Sequence, residues 1–180
     1  MTGLSHPSLF IALGLLTLYL GACAPAATPK ASQLTFNPLK AFSGRSHGDG
    51  TLSVIFQDPQ PYHVESRGFA QADGNFRLNQ TVKFAGKPPQ QRYWLLREVS
   101  PKDYTGTLSD AEGSVAGHTA GPQFRLAYAL PGGLTMHQTL TLEPGGKLID
   151  NVGRITFLGL KVGYLHETIE RKRALRQTNF

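Results

Sequence analysis

The chain has 180 residues, of which 40% are hydrophobic, and it carries a formal net charge of +6 with a single cysteine. One cysteine excludes an internal disulfide, so the folded part of the chain depends on its apolar core for stability. After an N-terminal segment that is not part of the fold, the remaining length suits one domain with a core of its own.

The first feature along the chain is an uncharged apolar run at residues 9–20. A transmembrane helix needs about 20 apolar residues to cross the hydrocarbon core, so this shorter run is typical of a secretion signal instead. It is followed by Leu20-Gly21-Ala22-Cys23, which resembles the lipobox of bacterial lipoproteins at all four positions. The resemblance implies that residues 1–22 are a signal peptide and that Cys23 carries a lipid anchor. An ordinary signal peptide followed by a chance cysteine is the alternative.

The residues around the anchor predict where the protein resides in the cell. Ala24 follows the cysteine, where many sorting systems use aspartate to retain a lipoprotein in the inner membrane. We therefore expect a lipid-anchored protein of the bacterial cell envelope, in the outer membrane and facing the periplasm. Residues 23–33, rich in alanine, proline and small polar side chains, would form the lipidated cysteine and a flexible tether. Residues 34–170 would then form one domain, followed by a basic C-terminal tail at 171–180.

Short runs in which apolar and polar residues alternate fill most of the predicted domain. The clearest are residues 76–84, 124–130 and 134–142, where apolar side chains recur at every second position with few exceptions. This two-residue period indicates β-strands with one face on a core. Turns rich in glycine and proline separate the runs. The same reasoning predicts further strands at 50–56, 62–70, 91–99, 104–109, 112–119, 147–157 and 161–169.

This series of short strands and tight turns predicts an all-β fold in which each strand pairs with the next, an antiparallel meander. About eight to ten strands facing one core would close into a barrel, because closure removes exposed strand edges. A sandwich of two sheets is the alternative. Helix is predicted only as a short segment at residues 169–178.

Three segments of the predicted domain carry a family resemblance: residues 36–50, 104–117 and 151–163. Together with Arg92-Tyr93-Trp94, they resemble the uncharacterised bacterial lipoprotein family called domain of unknown function 3833. Their order and spacing fit from about Phe36 to Glu170. The chain departs from the family pattern at Phe124 and Tyr128, where a Trp–Tyr pair is expected. The resemblance implies a lipocalin-like barrel and a lipoprotein, and it implies no known activity.

The chain lacks the usual sequence patterns of catalytic and nucleotide-binding sites. It contains no phosphate-binding loop and no His-Glu-x-x-His, and the Gly-x-Ser-x-Gly spacing at residues 44–48 is not followed by the helix that a nucleophile elbow requires. The glycines from Gly44 to Gly50 lead into a strand pattern, so no helix N-terminus is available to bind a phosphate. His47 and Asp49 would share one face of a strand, but a metal ion would need further ligands. We therefore predict no enzyme activity, no metal site and no cofactor.

Several polar side chains fall in phase with the apolar residues of the predicted strands. Gln80, Arg97 and Gln138 each lie between two aliphatic positions, and His166 shares a predicted face with Val162. An unpaired buried polar group costs about 1–3 kcal/mol, so these residues indicate an internal hydrogen-bond network or a cavity that holds a ligand. Four tyrosines would add aromatic walls with polar tips: Tyr62, Tyr93, Tyr128 and Tyr164.

Two functions compete for such a chain. The first is a membrane-anchored module that binds a lipid or other amphiphile, such as a fatty acid with its acidic head on Arg97. Its site would comprise Gln80, Arg97, Tyr128, Gln138, Tyr164 and His166. The second is a structural or accessory lipoprotein with a filled barrel that docks a partner protein. A cavity of about 300 Å³ or more would favour the first. Nucleic acid is not an expected partner, whereas the basic tail would suit anionic headgroups.

Overall fold

The computed structural model describes residues 34–172. The predicted signal peptide, the predicted lipidation site Cys23, the predicted tether and tail residues 173–180 lie outside this part of the chain. The described elements are helix α1 (Pro38–Ala41) and ten strands. The strands are β1 (Gly44–Val54), β2 (Gln60–Ala70), β3 (Phe76–Phe84), β4 (Gln90–Ser100), β5 (Asp103–Leu108), β6 (Glu112–Ala120), β7 (Gln123–Leu130), β8 (Leu134–Leu142), β9 (Leu148–Phe157) and β10 (Leu160–Lys172).

The ten strands form one closed antiparallel barrel. Each strand pairs with its neighbours in sequence, and β10 closes the barrel against β1 in a register that runs from Arg45↔Lys172 to Val54↔Gly163. The predicted meander and its closure are confirmed. The sandwich alternative is wrong, because the pairing of β1 with β10 leaves no open edge between two sheets.

The first and last strands differ most from their predicted bounds. Strand β1 begins at Gly44 and not near residue 50, so His47 and Asp49 lie within it. Strand β10 continues to Lys172, so the helix predicted for residues 169–178 is wrong over residues 169–172. The rest of that predicted helix lies outside the described residues. Pairing explains both differences, because the two extensions satisfy each other's backbone groups at the seam of the barrel.

The two ends of the barrel are built differently. The closed end carries α1 and the hairpin loops that follow β2, β4, β6 and β8, and the mouth carries the loops that follow β1, β3, β5, β7 and β9. Helix α1 begins at Pro38, with Asn37 accepting a hydrogen bond from the Lys40 amide. It brings the buried Phe36 ring to 5.7 Å from the Phe124 ring, between ring centroids, and so fills the closed end.

The buried apolar core lies entirely between Phe36 and Ile169. A chain that starts at residue 24 therefore keeps every side chain of this core and is the form used in the experiments below. None of the described residues belongs to a helix long and apolar enough to cross a membrane.

Candidate ligand-binding site

Three of the predicted site residues face the interior of the barrel. Gln80 on β3, Tyr128 on β7 and Gln138 on β8 are in phase with the buried apolar side chains of their strands. Alternation along these strands predicted that position, because neighbouring residues of a strand point to opposite faces. Their role in binding a ligand stays a prediction.

The inward position predicted for Arg97 is wrong. Arg97 is exposed, and the buried side chains of β4 are Trp94 and Leu96. Trp94 pairs with Leu78 of β3, which fixes the faces of the whole strand. Residues 93–96 are all apolar, so alternation offers no choice between the two faces at this point of the sequence.

Tyr164 and His166 also lie on the outer surface, contrary to the prediction. The inward residues of β10 include Leu165 and Glu167. The register between β10 and β9 shifts just before Gly163, and such a shift reverses the faces of the residues that follow it. Glu167 also lies between Leu165 and Ile169 on the inward face, so it interrupts the apolar alternation from which that face would be predicted.

Four buried polar side chains on adjacent strands β7 to β10 form a chain of hydrogen bonds across the barrel interior. The Tyr128 hydroxyl donates to Gln138 Oε1 at 3.0 Å, and Gln138 Nε2 donates to Asn151 Oδ1 at 3.3 Å. Asn151 Nδ2 then donates to Glu167 Oε2 at 2.9 Å. Each residue has a partner, so the cost of burying unpaired polar groups is avoided.

A second polar group lies on β2, β3 and β4 and is centred on Gln80. Gln80 Oε1 accepts hydrogen bonds from Trp94 Nε1 at 2.8 Å and from Arg92 Nε at 2.9 Å, and Gln80 Nε2 donates to Ser66 Oγ at 3.1 Å. These contacts hold the Arg92 guanidinium in place through Nε and leave its Nη groups for other partners. Trp94 meets Tyr128 edge to face, with ring centroids 5.3 Å apart, which joins the two polar groups.

We call these side chains the polar belt: Ser66, Gln80, Arg92, Trp94, Tyr128, Gln138, Asn151 and Glu167. Where the belt crosses β1, the inward residues are Gly48 and Gly50. A Cβ atom at Gly48 would overlap the Glu167 carboxyl group, and one at Gly50 would lie 2.7 Å from the Tyr62 hydroxyl oxygen. The glycine-rich stretch therefore makes room inside the barrel for two polar side chains.

On the mouth side of the polar belt the barrel contains a cavity of about 460 Å³. The apolar part of its wall consists of Leu52, Val82, Phe84, Leu130, Met136, Ile155 and Leu165. A smaller space of about 40 Å³ on the closed side shares Arg92, Gln138 and Glu167 with the larger one. The polar belt thus forms the floor of the cavity, and the predicted threshold of about 300 Å³ is exceeded.

Burial controls the ionisation of the acidic groups around this cavity. It raises the pKa of the Glu167 carboxyl, although the hydrogen bond from Asn151 and the charge of Arg92 act in the opposite direction. Burial likewise raises the pKa of the Tyr62 and Tyr128 hydroxyls. The environment therefore favours the neutral forms of these three groups.

Among the described residues that line the cavity, Arg92 is the one with a permanent positive charge. Its Nη1 atom lies 3.8 Å from Oδ2 of Asp110, whose side chain is 52% exposed. An ion pair of this length with so exposed a partner is weak. The guanidinium is therefore available to an anionic group inside the cavity.

Three of the described histidines form pairs with aspartates on the outside of the barrel. His166 Nε2 lies 2.6 Å from Asp150 Oδ1, and His63 Nδ1 lies 2.7 Å from Asp49 Oδ1, both across neighbouring strands. Tyr93, predicted as part of an interior wall, is also on the outer surface. Within residues 34–172, no group of three or more His, Cys, Asp or Glu side chains is arranged to hold a metal ion.

The sequence prediction of the site missed Arg92, Asn151 and Glu167. The signal for two of them is present, because Asn151 follows Ile149 by two residues and Glu167 lies between Leu165 and Ile169. A polar residue that recurs on an apolar face is the same pattern that identified Gln80 and Gln138. Arg92 has no such signal, since Gln90, its neighbour on the same face, is polar as well.

The fold and the site define a ten-stranded lipocalin-like barrel with one filled end and one hollow end. The chain belongs to the family described as protein of unknown function (DUF3833), whose model matches residues 17–171. No curated protein matches the chain in sequence.

Two solved structures share the barrel fold. The S-type phycobiliprotein lyase from Guillardia theta superposes with a TM-score of 0.61 at 8% identity, over 76% of this chain and 92% of the lyase. A DUF3598-family protein of unknown function from Nostoc punctiforme PCC 73102 superposes with a TM-score of 0.53 at 16% identity, over 82% of this chain and 53% of that protein. At these identities the likeness shows the fold alone.

Proposed function

We propose that this protein is a lipid-anchored envelope lipoprotein whose barrel binds one acidic amphiphile in the mouth cavity. The cavity of about 460 Å³ carries the proposal. Small-molecule sites have volumes in this range, and barrels of about eight strands or more can enclose one small ligand. The alternative, a barrel that docks a protein partner, expects a filled interior and is therefore less well supported.

Arg92 replaces Arg97 as the residue that would bind the acidic head. A guanidinium matches a carboxylate in size and geometry and binds it through two parallel hydrogen bonds. Gln80 already orients Arg92, so little conformational freedom of its side chain would be lost when the head binds. The hydroxyl of Tyr62 lines the same cavity and would add a hydrogen-bond donor, as would the carboxyl of Glu167 in its protonated form.

The apolar wall would take up the tail of the ligand. Aliphatic side chains from β1, β3, β7, β8, β9 and β10 face the cavity between the polar belt and the mouth. Each methylene group moved from water to such a wall contributes about 0.8 kcal/mol. A fatty acid combines this tail with the head that Arg92 requires, and hexadecanoate is therefore the probe of choice.

The test uses three single variants of the chain that starts at residue 24. We expect Arg92→Leu to weaken hexadecanoate binding by about tenfold or more, because it removes the charged partner of the head. Arg97→Leu, on the same strand but facing solvent, should leave binding unchanged. Asp110→Asn should strengthen binding, because it removes the anion that competes for Arg92. Isothermal titration calorimetry measures all three affinities, and equal affinities for the Arg92 and Arg97 variants would contradict the proposal.

The lipid anchor is proposed from the lipobox-like sequence that ends in Cys23. A triacylated cysteine carries more than one acyl chain, which gives stable membrane attachment. We expect the full chain expressed in bacteria to incorporate a palmitate analogue and the Cys23→Ala variant to incorporate none. Label on the variant equal to that on the wild type would exclude this anchor.

A further inference from the structure

Five large exposed apolar side chains, among them the three most exposed ones of the described residues, cluster on one side of the barrel mouth. We call them the mouth rim: Ile55, Phe56, Phe157, Leu158 and Leu160. Phe56 is 100% exposed and Leu158 is 85% exposed, in the loops that follow β1 and β9. The two loops are neighbours, because β1 pairs with β10 and the Ile55 amide donates to the Val162 carbonyl at 3.0 Å.

The backbone at the two tips is unusual for such residues. Phe56 has a φ of 61° and Leu158 a φ of 47°, in the left-handed region that large apolar residues rarely adopt. A glycine or an asparagine would suit these positions better and would expose no apolar surface. An unfavourable backbone that carries a fully exposed phenyl ring points to a function for the ring itself.

The charges around the mouth are unevenly distributed. Lys87, Arg154 and Lys161 are exposed near the mouth rim, where Asp58 is the nearest carboxylate along the chain. Asp110 and Glu112 lie on the opposite side of the barrel, at the loop between β5 and β6. The side of the mouth with the apolar tips is therefore the basic side.

We propose that the mouth rim contacts a phospholipid bilayer that contains anionic lipids. Phe56 and Leu158 would enter the boundary between headgroups and acyl chains, and Lys87, Arg154 and Lys161 would lie near the headgroups. Tyr164, half-exposed with the Lys161 ammonium 5.8 Å from its ring centroid, has the amphipathic character of an interfacial aromatic residue. The inference goes beyond ligand binding, because it assigns the surface onto which the cavity opens.

A protein partner fits this surface less well. Specific protein interfaces involve about 20–30 residues on each side, whereas the mouth rim consists of five side chains on two narrow loops. Single apolar side chains that project from loops suit a bilayer, because lipid molecules can pack around each of them. The experiment is therefore designed so that binding of the mouth rim to a second copy of the chain or to another protein would be detected.

The experiment measures flotation of the chain that starts at residue 24 with vesicles of phosphatidylcholine, with and without phosphatidylglycerol. This chain lacks Cys23, so no lipid anchor contributes. We expect binding to the vesicles that contain phosphatidylglycerol, and binding at least about tenfold weaker for the double variant Phe56→Asn/Leu158→Asn. Asparagine tolerates the left-handed backbone, so the double variant should fold. Val99→Ser, which changes an exposed apolar residue at the closed end, should bind like the wild type.

Three results would overturn the proposal. They are no binding of the wild type to either vesicle, equal binding of the wild type and the double variant, and a dimer in light scattering that the double variant abolishes without any vesicle binding. Hexadecanoate binding by the double variant separates this proposal from the ligand-binding one. If the mouth rim does not bind lipid but Arg92-dependent binding of hexadecanoate persists, only the membrane contact is excluded.

Discussion

Glu167 is a carboxyl group inside a hydrocarbon-rich barrel. Its Oε2 atom accepts a hydrogen bond from Asn151, its carboxyl group lies over Gly48, and burial raises its pKa above the ordinary value of 4.5. Burial of an ionised carboxylate is costly, and retention of the proton reduces this cost. The surroundings of Glu167 in the floor of the cavity therefore favour the protonated carboxyl, which can donate a hydrogen bond.

The raised pKa makes a prediction about stability and pH. Well below pH 4.5 the carboxyl is neutral in both folded and unfolded chains, and its contribution is fully present. As the pH rises from there to the native pKa, the unfolded chain ionises first, so the free energy of unfolding falls. The loss amounts to about 1.4 kcal/mol for each unit by which the native pKa exceeds the unfolded one. Urea denaturation of wild type across this range measures the fall.

The Glu167→Gln variant is the matched control. The amide oxygen of glutamine can still accept from Asn151, but the side chain does not titrate. Other carboxylates titrate equally in both proteins, so they cancel in the difference between the two unfolding free energies. That difference should move in favour of the variant as the pH rises. A difference that is constant or moves in favour of the wild type would show that the Glu167 pKa is not raised.

Among the secondary-structure elements, α1 is the shortest, and it helps to fill the closed end of the barrel. Its first residue is proline, which is suited to the first turn of a helix, and Asn37 caps it. The helix has only four residues and has little stability of its own. Packing of Phe36 and Phe42 into the closed end holds it in place, with 6.3 Å between their ring centroids.

Removal of the Phe36 ring should therefore destabilise the barrel. We expect Phe36→Ala to lower the free energy of unfolding by about 3–5 kcal/mol, the usual cost of a buried phenylalanine. Lys40→Ala, in the same segment but exposed, should change it by no more than about 0.5 kcal/mol. Urea denaturation measures both variants. A near-neutral Phe36→Ala would mean that α1 does not close this end of the barrel.

How well each strand could be predicted depends on how clearly its residues alternate. Strands β3, β7 and β8 alternate cleanly, and both their bounds and their inward residues agree with the prediction. Strand β4 contains four apolar residues in a row at 93–96, and the register of β10 shifts near Gly163. In these two strands the location was predictable, but the faces of Arg97 and His166 were not, because cross-strand pairing decides them.

At the scale of the whole molecule, the barrel combines a filled half with a hollow half. Aromatic packing around Phe36 and Phe124 stabilises the closed end, and the polar belt divides that core from the cavity. Stability and binding are thus assigned to different ends. We therefore expect substitutions such as Phe36→Ala to reduce stability without a selective loss of ligand affinity in the fraction that remains folded.

The polar belt itself could be predicted only in part. Gln80, Tyr128 and Gln138 are in inward phase on well-defined strands, so their position follows from the sequence. Their connection to Asn151 and Glu167 depends on which strands are neighbours and in what register, and the register shift in β10 influences which of its residues face inward. The residue pattern of each strand by itself does not show which strands are neighbours or in what register they pair.

The mouth cavity is proposed to hold one acidic amphiphile per chain. Native mass spectrometry of the chain that starts at residue 24, mixed with hexadecanoate or with the neutral alcohol hexadecanol, tests it most directly. We expect one hexadecanoate per chain, weaker binding of hexadecanol, and loss of the preference for the acid in the Arg92→Leu variant. A protein that stays unliganded in the presence of hexadecanoate, or that binds the acid and the alcohol equally well, would contradict it.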